Sequence, residues 1–239
     1  MEKNMINDLL SEIKSVNPDI FNQPIKSWDD LGFNQIQPFL TENRWEDSAS
    51  INVFSVIGTQ HPEYAGLPSW IRLLEIGKRM YLNLPLFKQK PEYYFEKTKK
   101  IPSMYYLSIN SGEYYIGADG NHRTAIAKAA FFLEQTDGSI HGVTLNSFKV
   151  DLELKKCFEN INETIKKRNL PLYASVETKT VSRKDGDGWM LEKYAPAIQI
   201  QDYKKNNYTV LHNAEKAEEF LENINASIFR RFFGFFKNG

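Results

Sequence analysis

The chain has 239 residues, of which 41% are hydrophobic and 25% are charged. This composition is typical of a globular protein with a buried core. Lysine and arginine together number 30, as do aspartate and glutamate, so the formal net charge is zero. The balance excludes a strong global attraction to nucleic acid or to an anionic membrane, and any such binding requires a local patch.

Cysteine content and hydropathy indicate the cellular compartment of the protein. Cys157 is the single cysteine, so an internal disulfide is excluded and a reducing compartment is favoured. The segment Met1–Asp8 contains no apolar core of signal-peptide length, and no run of the sequence is long and apolar enough to span a membrane. We therefore expect a cytoplasmic protein without a membrane span.

Three helices and a strand are expected in the first hundred residues. The helical spacing of apolar residues predicts helices over 2–16, Pro68–Met80 and Pro91–Lys99. Asn17–Pro18 ends the first of these, and Pro85 limits the length of the second, because proline interrupts the interior of a helix. A single apolar run predicts a strand over Ile51–Ile57.

The pattern then changes from helical to extended. Aromatic and β-branched residues fill Met104–Ile109 and Glu113–Ile116, and the turn sequence Asn110–Gly112 lies between them. Together they indicate a β-hairpin. The second strand leads into the turn Gly117–Thr124, and apolar positions predict a helix over Thr124–Gln135.

The remaining sequence predicts a strand over Val143–Leu152, a charged helix over Leu154–Arg168, and a helix from an N-cap at Asn213 to Lys237. Between the two helices, residues 172–211 predict a β-meander with strands over Leu172–Val181, Trp189–Tyr194, Ala197–Gln201 and Tyr208–Leu211. We therefore expect an α+β fold. It would have a small mixed sheet with flanking helices in residues 1–152, and a β-meander and amphipathic helix in residues 153–239. The boundary is soft, and a single domain is the alternative.

The turn after the hairpin carries the residues that point to chemistry. Gly117 and Gly120 give the backbone the freedom to pass from strand to helix within a few residues. The first amides of the helix lack helical acceptors and carry the positive end of its dipole, which favours an oxyanion. Arg123 adds a bidentate donor, His122 a donor whose charge responds to pH, and Thr124 a hydroxyl. These groups predict a phosphate site.

Asp119 stands out in this turn because a carboxylate repels phosphate. It fits an anion site if it binds a metal, orients Arg123 or accepts a proton. The alternative for the whole turn is an ordinary connection between a strand and a helix, with Asn121 or Asp119 as the helix cap.

The sequence Lys100-Ile101-Pro102, the hairpin and the run Gly117-Ala118-Asp119-Gly120-Asn121-His122-Arg123-Thr124-Ala125-Ile126-Ala127 resemble the ParB/sulfiredoxin-like superfamily. In that superfamily a proline-led strand, a turn and a second strand lead into an Asp-Gly-x-x-Arg turn and a helix. The His-Arg pair is similar to the sulfiredoxin and free-serine-kinase branches, and the Asp-Gly-x-x-Arg frame to ParB-related nucleases. The resemblance spans roughly residues 98–135.

The resemblance implies that the turn binds ATP, ADP or CTP. It implies phosphate contacts from Gly117, Gly120, Asn121, His122, Arg123 and Thr124, and a role at the site for Asp119. Asn121 stands where sulfiredoxin has its cysteine, which argues against peroxiredoxin repair. No helix-turn-helix pattern follows the turn, unlike in a chromosome-partition ParB. Arg44 and Glu46 are the best candidates for an upstream catalytic or arginine box.

Three functions remain open from the sequence. The first is an enzyme that binds a nucleotide with Mg²⁺ and hydrolyses it or transfers its phosphate, with Asp119, His122 and Arg123 as catalytic residues and Asp119 as the Mg²⁺ ligand. The second is a ParB-like nuclease that uses the same residues on DNA or RNA, with Lys97–Lys100 as its basic patch. The third is a non-catalytic module in which nucleotide binding gates a homodimer or protein partner through the aromatic C-terminal segment 228–237.

Overall fold

The computed structural model describes residues 5–110 and 112–235, which form an α+β fold. Helices are α1 (Met5–Val16), α2 (Asp19–Asn22), α3 (Phe33–Ile36), α4 (Trp70–Ile76), α5 (Met80–Gln89), α6 (Glu92–Phe95), α7 (Asn121–Leu133), α8 (Leu152–Lys167) and α9 (Ala214–Phe235). Strands are β1 (Lys26–Ser27), β2 (Leu40–Asn52), β3 (Val56–Thr59), β4 (Tyr105–Ile109), β5 (Tyr114–Ile116), β6 (Ser139–Val150), β7 (Leu172–Gly186), β8 (Trp189–Asp202) and β9 (Asn207–Leu211). No helix among the described residues is long and apolar enough to cross a membrane.

The chain divides into two compact units, each assembled from three segments. The first unit contains Met1–Phe33, Asn43–Phe148 and Lys184–Leu191, and the second contains Asn34–Glu42, Lys149–Arg183 and Glu192–Gly239. The boundary expected at residue 152 cuts the chain once, whereas the strands β2, β6, β7 and β8 each include residues of both units. No single boundary in the sequence therefore separates the two units.

The sheet of the first unit is mixed, as expected. Its strands run in the order β1-β3-β5-β4-β6, with β4 and β5 antiparallel and the other neighbours parallel. Tyr106 lies opposite Ile116, and Leu107 opposite Tyr115. Because side chains alternate along a strand, Tyr106 and Ile116 join the main core, whereas Leu107 and Tyr115 pack with Trp28 on the other face.

Several predicted element ends are confirmed by the backbone. Asn17, just after α1, has a φ of 48°, and its amide donates to the Ile13 carbonyl at 2.8 Å. Asn110 and Gly112 in the hairpin turn have φ values of 54° and 99°, in the left-handed region that asparagine and glycine tolerate best. Residues 2–4 of the first predicted helix lie outside the described residues.

The single strand predicted over Ile51–Ile57 is wrong. β2 ends at Asn52, a 3-10 turn occupies Val53–Ser55, and β3 begins at Val56. The Asn52 side chain accepts from the Phe54 amide at 2.8 Å and donates to the Asp137 carbonyl at 2.9 Å. This amide stabilises the turn, because its hydrogen bonds compete with the strand ladder.

The helices before the hairpin also differ from expectation. Ser69 caps α4 by accepting from the Arg72 amide, and α4 ends at Ile76 instead of running on to Met80. α4 therefore ends before Pro85, within the limit expected from this proline, while a further helix, α5, contains Pro85 in its interior. Of the helix predicted over Pro91–Lys99, only the four residues of α6 are helical.

The second unit contains most of β7 and β8, all of β9, and the helices α8 and α9. The strands predicted over Trp189–Tyr194 and Ala197–Gln201 are one continuous strand, β8, and Ile198 of β8 pairs with Leu211 of β9. Asn213 accepts from the Lys216 amide at 2.9 Å, which confirms it as a helix cap. The predicted end of this helix at Lys237 and the phenylalanine side chains of 228–237 lie outside the part described.

A lysine that pairs with no carboxylate among the described residues lies in the core of the first unit. The Lys128 side chain on α7 is 1% exposed, its Nζ lies 4.5 Å from the centroid of the Trp70 ring, and the Phe54 carbonyl is 3.5 Å away. Burial lowers the pKa of Lys128 to about 7, because an apolar environment penalises the charged form. The protonated amine therefore destabilises the folded state.

We expect Lys128→Met to raise the free energy of unfolding at pH 7 by about 2–5 kcal/mol, since each unit of pKa difference corresponds to about 1.4 kcal/mol. Between pH 7 and about 10.5 the unfolded state binds the proton more readily than the folded state, so the advantage should shrink as pH rises. Urea unfolding at several pH values measures this. The exposed Lys166→Met variant is the control, and an advantage that stays constant across this range would contradict the account.

Candidate functional site

The predicted passage from strand to helix is present in the first unit. β5 ends at Ile116 and α7 begins at Asn121, three residues earlier than expected. The Gly117 amide donates to the Tyr105 carbonyl at 2.8 Å, and the Tyr105 amide donates to the Asp119 carbonyl at 2.9 Å. Gly120 has a φ of 121°, which only glycine adopts without strain. The turn is therefore fastened to the start of β4.

A cavity of about 310 Å³ opens at the start of α7. The turn contributes Asp119, Gly120, His122 and Arg123 to its lining. The segment around α5 and α6 and the loop before β4 contribute the rest: Arg79, Asn83, Leu86, Phe87, Gln89, Lys90, Tyr93, Tyr94, Ile101 and Pro102. The cavity thus combines three cations and one carboxylate with an apolar wall.

The Arg123 guanidinium is buried and bonded to the protein. It donates to the Tyr93 hydroxyl at 2.7 Å, to the Ser103 carbonyl at 2.9 Å, to Oδ2 of Asp119 at 2.8 Å, and to the Pro102 carbonyl. These contacts occupy both terminal nitrogens. Arg123 therefore fixes the cavity wall, although the sequence predicted a bidentate phosphate ligand.

The Asp119 carboxylate is held in one orientation beside the cavity. Its Oδ1 accepts from the Gly120 amide at 2.7 Å, and its Oδ2 from Arg123. The side chain is 61% exposed, so its remaining lone pairs face solvent and the cavity. Among the described residues, no group of three or more His, Cys, Asp or Glu side chains is placed to hold a metal ion.

His122 is held as a neutral imidazole. Its Nε2 accepts from the Arg79 amide at 3.2 Å and lies 3.1 Å from the Tyr64 hydroxyl, and His61 stacks on the Tyr64 ring. A backbone amide can only donate, so Nε2 carries no proton and the ring proton lies on Nδ1. Burial lowers the pKa of His122, as do the charges of Arg79 and His61. His122 is thus a neutral donor near pH 7.

Two of the expected phosphate ligands turn their side chains into the core. Oδ1 of Asn121 accepts from the Thr59 hydroxyl at 2.7 Å, and the Thr124 hydroxyl lies 2.8 Å from that of Tyr106. Both side chains are buried and neither lines the cavity. The Thr124 amide donates to the Gly120 carbonyl and closes the first helical turn. The hydroxyl expected from Thr124 is therefore not offered to the cavity, because a buried polar group needs an internal partner, and the Asn121 side chain has such a partner too.

The start of α7 nevertheless keeps main-chain donors. Its N-cap is Gly120, which supplies no side-chain hydrogen bond to the helix. The amides of Asn121, His122 and Arg123 precede the first hydrogen bond of the helix, made by Thr124, so they lack acceptors within the helix. These amides are the groups of the predicted site that suit an oxyanion.

The upstream residues are not brought to this cavity. Arg44 and Glu46 lie on β2, pair with each other at 2.9 Å, and line a different groove with Asp47, Asp187 and Trp189. Because this groove and the cavity share no lining residue, the expectation that Arg44 and Glu46 join the turn is wrong.

The basic patch expected at Lys97–Lys100 is largely neutralised. Lys99 pairs with Asp47, and Lys100 is buried with its Nζ donating to the Glu96 carbonyl at 2.6 Å. Burial also lowers the pKa of Lys100. Of these three lysines only Lys97 is left as an exposed cation without an ion pair among the described residues, which weakens the support for a nucleic-acid surface here.

Comparisons with protein-family models, with curated proteins and with solved structures found no match. The resemblance of the Gly117–Thr124 turn to the ParB/sulfiredoxin-like superfamily stays a prediction. The function has to be argued from the geometry of the cavity.

The state of His122 can be measured directly. We expect its imidazole to titrate below the ordinary value of about 6.5 and to carry its neutral proton on Nδ1, because Nε2 accepts from the Arg79 amide. Acidification below pH 6.5 should then reduce stability, since the unfolded state takes up the proton more readily. Long-range ¹H–¹⁵N NMR across pH 4.5–8 reads the pKa and tautomer together. A normal or raised pKa, or a proton on Nε2, would refute this assignment.

Proposed function

We propose that the cavity at the start of α7 binds the phosphates of a nucleotide, and that the protein is a ParB/sulfiredoxin-like enzyme that hydrolyses the nucleotide or transfers its phosphate. The observation that carries this proposal is the uncapped start of α7, which lies at a cavity lined by Arg79, Lys90 and Arg123. Unpaired amides at a helix start and nearby cations are the groups that bind phosphate oxygens.

The available positive charge comes from two residues outside the turn. Arg79 and Lys90 are exposed and make no ion pair within residues 5–110 and 112–235. By contrast, Arg123 in the same cavity is bonded to Asp119. Arg79 and Lys90 can therefore neutralise a bound phosphate without first losing a protein partner.

Each residue at the cavity has a distinct role in this proposal. The amides of Asn121, His122 and Arg123 donate to phosphate oxygens, and His122 adds a neutral donor through Nδ1. Arg123 keeps Asp119 and the loop before β4 in place. Asp119 accepts the proton of the attacking hydroxyl or water, and Arg79 stabilises the negative charge that the phosphates carry.

A magnesium ion fits this proposal only together with the nucleotide. Mg²⁺ bound with nucleotides uses one or two protein carboxylates and takes its other ligands from phosphate oxygens and water. Asp119 supplies one exposed carboxylate, which matches that requirement but not a dedicated metal cage. When bound there, the ion would neutralise phosphate charge.

Calorimetric titration of the purified protein with ATP, ADP and CTP, with and without Mg²⁺, tests binding. We expect Arg79→Ala and Lys90→Ala each to weaken nucleotide binding about threefold to tenfold, because exposed charge pairs contribute modestly. Lys88→Ala is the matched control, since Lys88 lies on α5 between Arg79 and Lys90 but does not line the cavity. If Arg79→Ala and Lys90→Ala bind the nucleotide as tightly as the wild type and Lys88→Ala do, the nucleotide binds elsewhere. If the wild type binds no nucleotide, the proposal is refuted.

Product analysis separates the enzyme from its alternatives. Release of phosphate or its transfer to an acceptor, lost in Asp119→Asn with nucleotide binding retained, supports the proposed enzyme. Cleavage of plasmid DNA would favour the nuclease. Binding without turnover of nucleotide or DNA would favour the non-catalytic module.

A further inference from the structure

Two aliphatic side chains at the cavity are unusually exposed. Ile101 is 80% exposed and Leu86 is 59% exposed, and both line the cavity with Phe87 and Pro102. They come from different parts of the chain, Leu86 from α5 and Ile101 from the loop before β4. An apolar surface beside a group of cations suits a ligand that has both an anionic end and an apolar body.

Four cavity-lining residues in and directly flanking α5 lie along one face, with Phe87 and Gln89 of α5 lining the cavity on either side of it. Arg79, Asn83, Leu86 and Lys90 follow one another at intervals of four, three and four residues, which places them on one side of a helix. Leu82, on the same helix and 49% exposed, does not line the cavity. The helix therefore presents to the cavity a cation at each end with an apolar residue between them.

We infer that Leu86 and Ile101 bind the base of the nucleotide whose phosphates lie at the start of α7, and that they make the site prefer purines to pyrimidines. The inference rests on the proposed function and names the ligand class of the same site. Inorganic phosphate would leave the apolar wall exposed to water. A base covers it, and a purine covers more of it because its ring face is larger, so more apolar area leaves the solvent.

The size of the cavity agrees with this occupant. A volume of about 310 Å³ lies at the lower end of the range for small-molecule sites. It accommodates a compact ligand and not a folded macromolecule. The polyphosphate and the base can therefore share one cavity, whose lining includes both Arg79 and Ile101.

Comparison of three probes tests the inference: ATP, CTP and inorganic tripolyphosphate, each titrated calorimetrically with the same Mg²⁺ concentration. The wild type should bind ATP more tightly than CTP, and either nucleotide more tightly than tripolyphosphate. Ile101→Ala should weaken ATP binding about tenfold, given the apolar area that the side chain would bury, and leave tripolyphosphate binding within about twofold. Leu86→Ala should behave alike, with Leu82→Ala as the control.

The outcomes separate this inference from the phosphate site. The base contact is overturned if Ile101→Ala binds ATP as tightly as the wild type does. It is also overturned if this substitution lowers the affinities for tripolyphosphate and for ATP by the same factor. In either case the phosphate site stands. If the wild type prefers CTP, the purine preference is overturned. If the wild type binds neither ATP nor tripolyphosphate, both proposals fail. Circular dichroism checks the fold, and Ile101→Ala, at an exposed loop position, carries the test if Leu86→Ala does not fold.

Discussion

The geometry of the cavity depends on the hydrogen bonds of one buried guanidinium. Arg123 donates to the carbonyls of Pro102 and Ser103, to the Tyr93 hydroxyl and to Asp119. A buried guanidinium without partners would cost several kcal/mol, so these acceptors hold it strongly. Tyr93 belongs to α6, Pro102 and Ser103 to the loop before β4, and Asp119 to the turn before α7. Arg123 therefore fixes three walls of the cavity relative to one another.

This use of Arg123 moves the anion-binding role to other groups. The side chains of Asn121 and Thr124 also bond internally, and they anchor the first turn of α7 to the sheet through Thr59 and Tyr106. What remains for a phosphate is the main chain of that first turn, the neutral His122 and the exposed cations outside the turn. A rigid set of amides of this kind is preorganised for an oxyanion, since little has to move when it binds.

The sequence predicted what local chemistry determines and missed what tertiary contacts determine. The hairpin, the helix end at Asn17, the cap at Asn213 and the passage from strand to helix at 117–120 follow from turn and capping residues, and the structure contains them all. Arg79, Lys90 and Tyr93 were missed at the site because no local motif marks them. Their place at the cavity depends on how α5 and α6 pack near α7. The basic patch at Lys99 and Lys100 was predicted wrongly for the same reason. The pattern of charges along the sequence does not reveal that Lys99 pairs with Asp47 or that Lys100 donates to the Glu96 carbonyl.

The central claim is that the first amides of α7 bind phosphate, and backbone NMR tests it residue by residue. In ¹H–¹⁵N spectra of the labelled protein titrated with tripolyphosphate, the account predicts that the largest shifts occur at the amides of Asn121, His122 and Arg123 and saturate together. Their chemical shifts report the amide donors directly, independently of any substitution. Saturating shifts confined to other regions, with these three amides unchanged, would contradict the account.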